Sequence, residues 1–260
     1  MKRYMKKQQR MDKINRIKIL NIAVAKISYE EIIDFIEKSL EGNKKRIISY
    51  AAFHVINLAK KSILLSDEIN SFDIVHADGI GVYLASKFLY GKDGIRNKIT
   101  GSDFYSLLIN QAIQKRWNLF FFGDELKTLE KIKTLNPGLK ISGYVSGYDF
   151  IDEEIINEIN LARSDILVVG LGCPKQENWV YKNRNLINTK IILIVGDGIK
   201  VFAGTKKRGN KIIQKIGAEW FIRLLSNPSK MWKRYLIGIP LFFIRVLKFK
   251  KSKKASMVKA

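Results

Sequence analysis

Cysteine occurs once in the 260 residues and histidine twice. A lone Cys173 permits no intramolecular disulfide, which excludes a disulfide scaffold and suits a reducing compartment. His54 and His76 stand apart from any Cys or carboxylate cluster at ligand spacing, so no metal site is expected. No D-x-D triplet is present, nor a G-x-x-x-x-G-K-[ST] loop, and no G-x-G-x-x-G opens a helix. P-loop ATPase and Rossmann dehydrogenase readings lose on that ground. No internal repeat or low-complexity tract interrupts the chain before its Lys-rich tail, and no signal peptide is expected at the N-terminus. The apolar segment Tyr235–Ile244 gives ten uncharged residues before Arg245. A spanning helix needs about 20, so this one does not cross a bilayer.

What the chain does have is core material and unevenly placed charge. Hydrophobic residues make up 47% and aromatics 11%, enough to exclude a disordered chain. The formal net charge is +23, but residues 1–18 carry +7 and residues 205–260 carry +15. The stretch 19–204 carries only +1. This divides the chain into a basic N-terminal arm (1–18), a nearly neutral body (19–204) and a basic amphipathic C-terminal appendage (205–260). Basic ends call for a negative partner: nucleic acid, an anionic lipid surface or substrate phosphates. Bulky apolar residues interleave with Arg and Lys in YLIGIPLFFIRVLKFKKSKK, which favours an anionic membrane surface. No helix-turn-helix, RNP or zinc-finger pattern appears, so no nucleic acid is expected.

From Ile47 onward, short apolar runs alternate with amphipathic stretches, the pattern of an α/β fold with a mostly parallel sheet flanked by helices. Strands are expected at 47–52, 72–78, 118–123, 165–172 and 190–198, with a weaker candidate at 141–147. Helices are expected at 29–42, 103–116 and 152–164. Farther on, Ile212, Ile213, Ile216, Trp220 and Leu224 fit one apolar helix face, with basic residues from Arg208 onward. Several strands end in Gly or Asp-Gly: Asp78-Gly79, Gly123-Asp124, Gly170-Leu171-Gly172 and Gly196-Asp197-Gly198. In a doubly wound sheet the ligand crevice lies beyond such carboxyl ends, where Gly admits backbone to a phosphate or sugar.

Asp78 is the sharpest single residue. It follows the strand pattern FDIVHA and precedes Gly79-Ile80-Gly81, a turn into a helix. There it has two readings: a general base at the mouth of the crevice, or an N-cap of the helix that follows. His76 reads as a sheet-face residue. Cys173 reads as a small buried filler, having no basic neighbour to activate it beyond Lys175.

Five stretches together resemble the WecG/TagA/CpsF family of bacterial glycosyltransferases. They are HADGIGVYLASKFLYG (76–91), KITGSDF (98–104), LFFFGDELKTLEKI (119–132), VVGLGCPKQENWV (168–180) and the segment from Val195 to Leu236 that contains EWFIRLLSNPSKMWKRY. The resemblance covers roughly residues 20–240. It implies a Rossmann-like body and an appendage that reaches the membrane and completes the site. The activity implied is inverting, metal-independent transfer of a sugar from a UDP-sugar to a polyprenyl-diphosphate-linked sugar. N-acetylmannosamine or a related hexose would move, in cell-surface polysaccharide or teichoic acid synthesis. No cofactor is implied, and the expected location is cytoplasmic, at the inner face of the membrane.

The resemblance also assigns residues. Asp78 matches the proposed catalytic base, Ser49 the position of a Thr near the reacting sugar, and Gln176 a pocket Gln. Arg223, Lys230, Lys233 and Arg234 match basic positions of the appendage. Gly79, Lys98, Gly101, Asp103, Gly123, Gly170, Gly172, Glu177 and Gly196 complete the expected substrate-binding set. Three positions depart from the family's usual residues: Ala51 replaces an Asn, Lys98 an Arg and Lys200 an Asp. A runner-up reading keeps the fold without the chemistry, as a membrane-docked nucleotide-sugar-binding subunit of a polysaccharide assembly complex. A leftover apolar helix face would also support a homo-oligomer.

Overall fold

A computed structural model describes residues 14–97, 99–206, 217 and 219–258. Eight strands form one sheet in the order β1-β2-β4-β3-β8-β7-β5-β6. They are β1 (Arg16–Ile19), β2 (Ile22–Ala25), β3 (Arg46–Ala51), β4 (Ile74–Ala77), β5 (Asn118–Gly123), β6 (Lys140–Val145), β7 (Ile166–Gly170) and β8 (Ile191–Ile194). β1 and β2 form an antiparallel hairpin, and every other pairing is parallel. The six strands expected from sequence are present, most of them shorter than their apolar runs. The 190–198 run stops at Ile194 because Gly196–Gly198 turn into a short 3-10 helix. The hairpin was not anticipated, and Arg16 to Lys18, counted with the basic arm, lie in its first strand.

Strict alternation places the interior strands between two cores. Leu119 and Phe121 of β5 face one side, and Phe120 and Phe122 the other; Ile191 and Leu193 alternate likewise with Ile192 and Ile194 in β8. That is why these runs read as continuously apolar. One face is covered by α1 (Tyr29–Glu41), α5 (Gly101–Lys115), α6 (Leu126–Leu135) and α9 (Ile199–Phe202). The other carries α2 (Phe53–Ala59), α3 (Ile63–Asn70), α4 (Ile80–Tyr90), α7 (Asp152–Ala162) and α8 (Lys175–Asn183). Helix starts follow local chemistry: Ser28 and Glu31 form a reciprocal capping box on α1.

The C-terminal segment continues as α10 (Glu219–Ser226), α11 (Pro228–Trp232), a π-helical turn (Lys233–Ile237) and α12 (Gly238–Val258). The expected face residues Ile212, Ile213 and Ile216, with Arg208, lie outside the described residues. α12 rests on α2 and α4. Phe242 and Val246, one turn apart, are fully buried in the same core as Val55, Ile56 and Ala59 of α2. Of the segment read as interfacial, Tyr235, Phe242 and Val246 are therefore buried, and Phe243 and Phe249 pack partly against the core. Leu236, Ile237, Ile244 and Leu247 remain exposed. Among the described residues no helix is long and apolar enough to cross a membrane.

Deleting a buried phenyl ring costs about 3–5 kcal/mol. Phe242→Ala is expected to lower the denaturant midpoint of the main cooperative transition. An unchanged midpoint would show that α12 is not part of the core.

Candidate active site

The carboxyl ends of β3, β4 and β8 open into a cavity of about 280 Å³. Its floor is built by Tyr50 near the end of β3 and Ala52 just after it, Asp78 and Gly79 after β4, and Val195, Asp197 and Gly198 after β8. Thr100 and Gly101 at the start of α5 close one side. The roof is the appendage, through Trp220, Arg223, Arg234 and Tyr235. An apolar flank runs from Phe53 and Leu84 to Ile239, Phe242 and Phe243.

Backbone geometry fixes Asp78. Its N–H donates to the Ala51 carbonyl, which extends the parallel pairing of β3 and β4 by one residue. Gly79 then turns at φ +82°, in the left-handed region where a side chain is strained. One Asp78 carboxylate oxygen accepts the Gly101 N–H at 2.8 Å. The cap reading is thus half right: Asp78 caps α5, 23 residues onward, and not α4, which follows it. The same contact holds the part-exposed carboxyl at the cavity wall.

Three cations and three carboxylates line this space: Lys206, Arg223 and Arg234, with Asp78, Asp197 and Glu219. Burial opposes the charge of Arg223, but Tyr235, Asp78 and Asp197 outweigh it and raise its pKa. Lys206 is different. Burial, reinforced by Arg223, lowers it to about 8 despite Asp197 at 3.8 Å. Lys200 pairs with Asp197 at 3.5 Å and with Asp124 at 3.8 Å; burial opposes its charge, but the two carboxylates outweigh it and raise its pKa. The lysine that departs from the family's usual Asp therefore pairs with carboxylates at the crevice rim.

Of the residues expected from sequence, Asp78, Gly79, Gly101, Arg223 and Arg234 line one cavity. Gln176 and Glu177 lie behind its wall. The Gln176 amide accepts the Gly172 N–H and donates to Glu177 and Tyr50. Burial pushes the Glu177 carboxyl up, and burial with Glu177 nearby also raises the Cys173 thiol. Cys173, read from sequence as a small buried filler, is only partly buried against the core, and the raised thiol leaves it little thiolate. Ser49 is buried within β3, its hydroxyl without a partner among the described residues. Gly196 packs beneath the Tyr50 hydroxyl. Gly123 and Gly170 sit against one another at the ends of β5 and β7, where a methyl group on Gly123 would run into the Gly170 carbonyl.

Asp103 accepts from Thr100 at the start of α5 and serves the helix end. Lys230 and Lys233 are exposed, the latter over the Trp232 ring. Lys98 lies outside the described residues. His76 is buried in β4 as expected of a sheet residue, edge-on to Phe104. Sequence reasoning missed Lys206, hidden in the basic run TKKRGNK, and His54, which was weighed only as a metal ligand. Among the described residues no three His, Cys, Asp or Glu side chains gather as a metal site.

Residues 17–256 match the glycosyl transferase WecG/TagA/CpsF family. The chain belongs to that family. Three curated relatives are each named N-acetylglucosaminyldiphosphoundecaprenol N-acetyl-beta-D-mannosaminyltransferase. The protein of Bacillus spizizenii (strain W23) is 34% identical over 188 residues, 71% of this chain and 72% of its own length. That of Bacillus subtilis (strain 168) is 31% identical over 241 residues, covering 91% and 93%. That of Staphylococcus aureus (strain MRSA252) is 31% identical over 216 residues, or 80% of each.

Lys206 supplies a pH test. Its folded pKa lies below the usual lysine value, so its charge costs stability below about pH 8, and that cost fades as pH rises further. Inorganic pyrophosphate bound in the cavity is expected to lose affinity between about pH 7 and about pH 9 relative to Lys206→Arg, which stays charged. Parallel pH profiles for the two proteins would contradict a role for Lys206 in anion binding.

Proposed function

We propose that this glycosyltransferase moves a sugar, N-acetylmannosamine or a related hexose, from a UDP-sugar to a polyprenyl-diphosphate-linked sugar. The observation that carries the reading is the shared cavity: Asp78 on its floor and Arg223 and Arg234 on its roof. The names of the Bacillus and Staphylococcus relatives support a lipid-diphosphate acceptor and an aminosugar. In the reaction the acceptor hydroxyl attacks the anomeric carbon while Asp78 takes its proton. The bond to the diphosphate breaks, UDP leaves with the electron pair, and a single displacement inverts the centre. Arg223, Arg234 and Lys206 stabilise the departing charge in the role a divalent cation plays elsewhere.

The apolar flank of the cavity is shared by Leu84 of α4 and by Ile239, Phe242 and Phe243 of α12, and the same two helices expose Leu84, Phe88, Ile244 and Leu247. Lys250 and Lys253 lie over Phe88 and Tyr90 at this edge. Such a mixture of apolar and basic groups suits an anionic membrane surface, where the lipid-linked acceptor resides. The basic arm and appendage then serve recruitment and closure, and the enzyme works peripherally on the cytoplasmic face.

The test is acceptor-dependent UDP release from a panel of UDP-sugars, with and without EDTA. A positioned base contributes about 10²–10⁴-fold, so Asp78→Asn, which keeps an oxygen for the Gly101 N–H, is expected to lose about 10³-fold in turnover with donor affinity retained. EDTA is expected to change nothing. Turnover by Asp78→Asn near the wild-type rate would overturn the assignment of the base, and loss of activity in EDTA would overturn metal independence.

A further inference from the structure

We propose that His54 is a positioning residue: together with Asn57 it clamps the appendage onto α2 and aims Arg234 into the cavity. The kinetic part of this inference rests on the proposed transfer reaction; the structural part does not.

Arg234 Nη2 lies 2.8 Å from His54 Nδ1. A guanidinium offers donors only, so Nδ1 must present its lone pair, and the neutral ring carries its proton on Nε2. Either alternative, a proton on Nδ1 or a charged imidazolium, sets donor against donor. The surroundings favour the neutral ring. Burial and the two charged groups that face it, Arg234 of the π-helical turn and Arg223 of α10, hold His54 well below the usual histidine range.

One turn along α2 is a second polar clamp. Asn57 Nδ2 donates to the Gly238 carbonyl at 2.8 Å, and its Oδ1 and backbone oxygen accept from Arg245 at 2.8 and 3.0 Å. Residues three apart share a helix face. His54 and Asn57 thus grip the chain at Arg234 and again at Gly238 and Arg245, which sets its register on α2. The apolar contacts of Phe242 and Val246 supply adhesion but no comparable directionality.

Arg234 is the end of the clamp that matters for chemistry. Its Nε is buried and has no hydrogen-bond partner among the described residues, while its side chain lines the cavity. With Nη2 tied to His54, the guanidinium is oriented with a donor to spare. That arrangement suits a phosphate oxygen entering from the cavity.

Two measurements on the full chain test this. The first is the long-range ¹H–¹⁵N imidazole spectrum near neutral pH, with the His54 signals identified by their loss in His54→Leu. His54 is expected as a neutral ring with unprotonated Nδ1, shifted in Arg234→Lys. His76, whose Nδ1 faces the Ala77 carbonyl, gives the opposite tautomer in the same spectrum. The second is sugar transfer. Misplacing a catalytic group can cost about 10²-fold, so His54→Leu is expected to lose about that in kcat with little change in donor KM. His54→Gln, which restores an acceptor, recovers most of it, and His54→Leu adds no loss in an Arg234→Ala background.

A protonated Nδ1 or an imidazolium in the wild type would overturn the proposal. So would wild-type turnover in His54→Leu or an additive loss in the double variant. If no sugar is transferred by the wild type, the transfer reading fails by itself and the spectrum still decides the clamp.

Discussion

Packing of Phe242 and Val246 into the core beside α2 is the contact on which the cavity depends. Both side chains are removed from solvent as completely as the strand residues of the sheet. Burying a large apolar side chain is worth about 1.5–3 kcal/mol, so each of the two holds the appendage against α2. Without it, Arg223 and Arg234 would be solvated charges on a tail. With it, they become the roof over a floor that includes Asp78. Hydrophobic burial fixes that the segment docks, and the directional bonds from α2 fix where.

The electrostatics of the cavity follow from that geometry. Cations from the appendage meet carboxylates from the strand ends at short range, with apolar groups on one flank. Arg223 gains from the neighbouring carboxylates, while Lys206 is driven towards its neutral form by burial and by Arg223. A site of this kind has fixed donors already oriented when a diphosphate arrives, so little reorganisation accompanies the growth of negative charge on a leaving group. Asp78 stands on the opposite wall, where the Gly101 backbone N–H holds it.

Much of this was legible in the sequence because the parallel strands are buried on both faces and appear as continuous apolar runs. β3, β4, β5, β7 and β8 were all visible for that reason. Asp78 was visible because a carboxylate between an apolar strand and a Gly turn occupies a predictable place. The β1-β2 hairpin escaped because its four-residue strands are short and its first strand lies in a basic stretch. The identity of the helix capped by Asp78 depends on a contact 23 residues away, which no local pattern encodes. The same holds for Lys206 and His54. One looks like a tail charge and the other like a stray histidine until the appendage folds back across 180 residues of sequence to bring Arg234 against His54.

The central claim is that the diphosphate of the donor lies between the appendage and Asp78. A crystal structure of the full chain with UDP bound tests it most directly. The account predicts phosphate oxygens within hydrogen-bond distance of Arg223 and the Arg234 Nε, with the sugar side of the β-phosphate directed at Asp78. UDP seated beyond β5 and β7, beside Gly123 and Gly170 and away from both arginines, would contradict it.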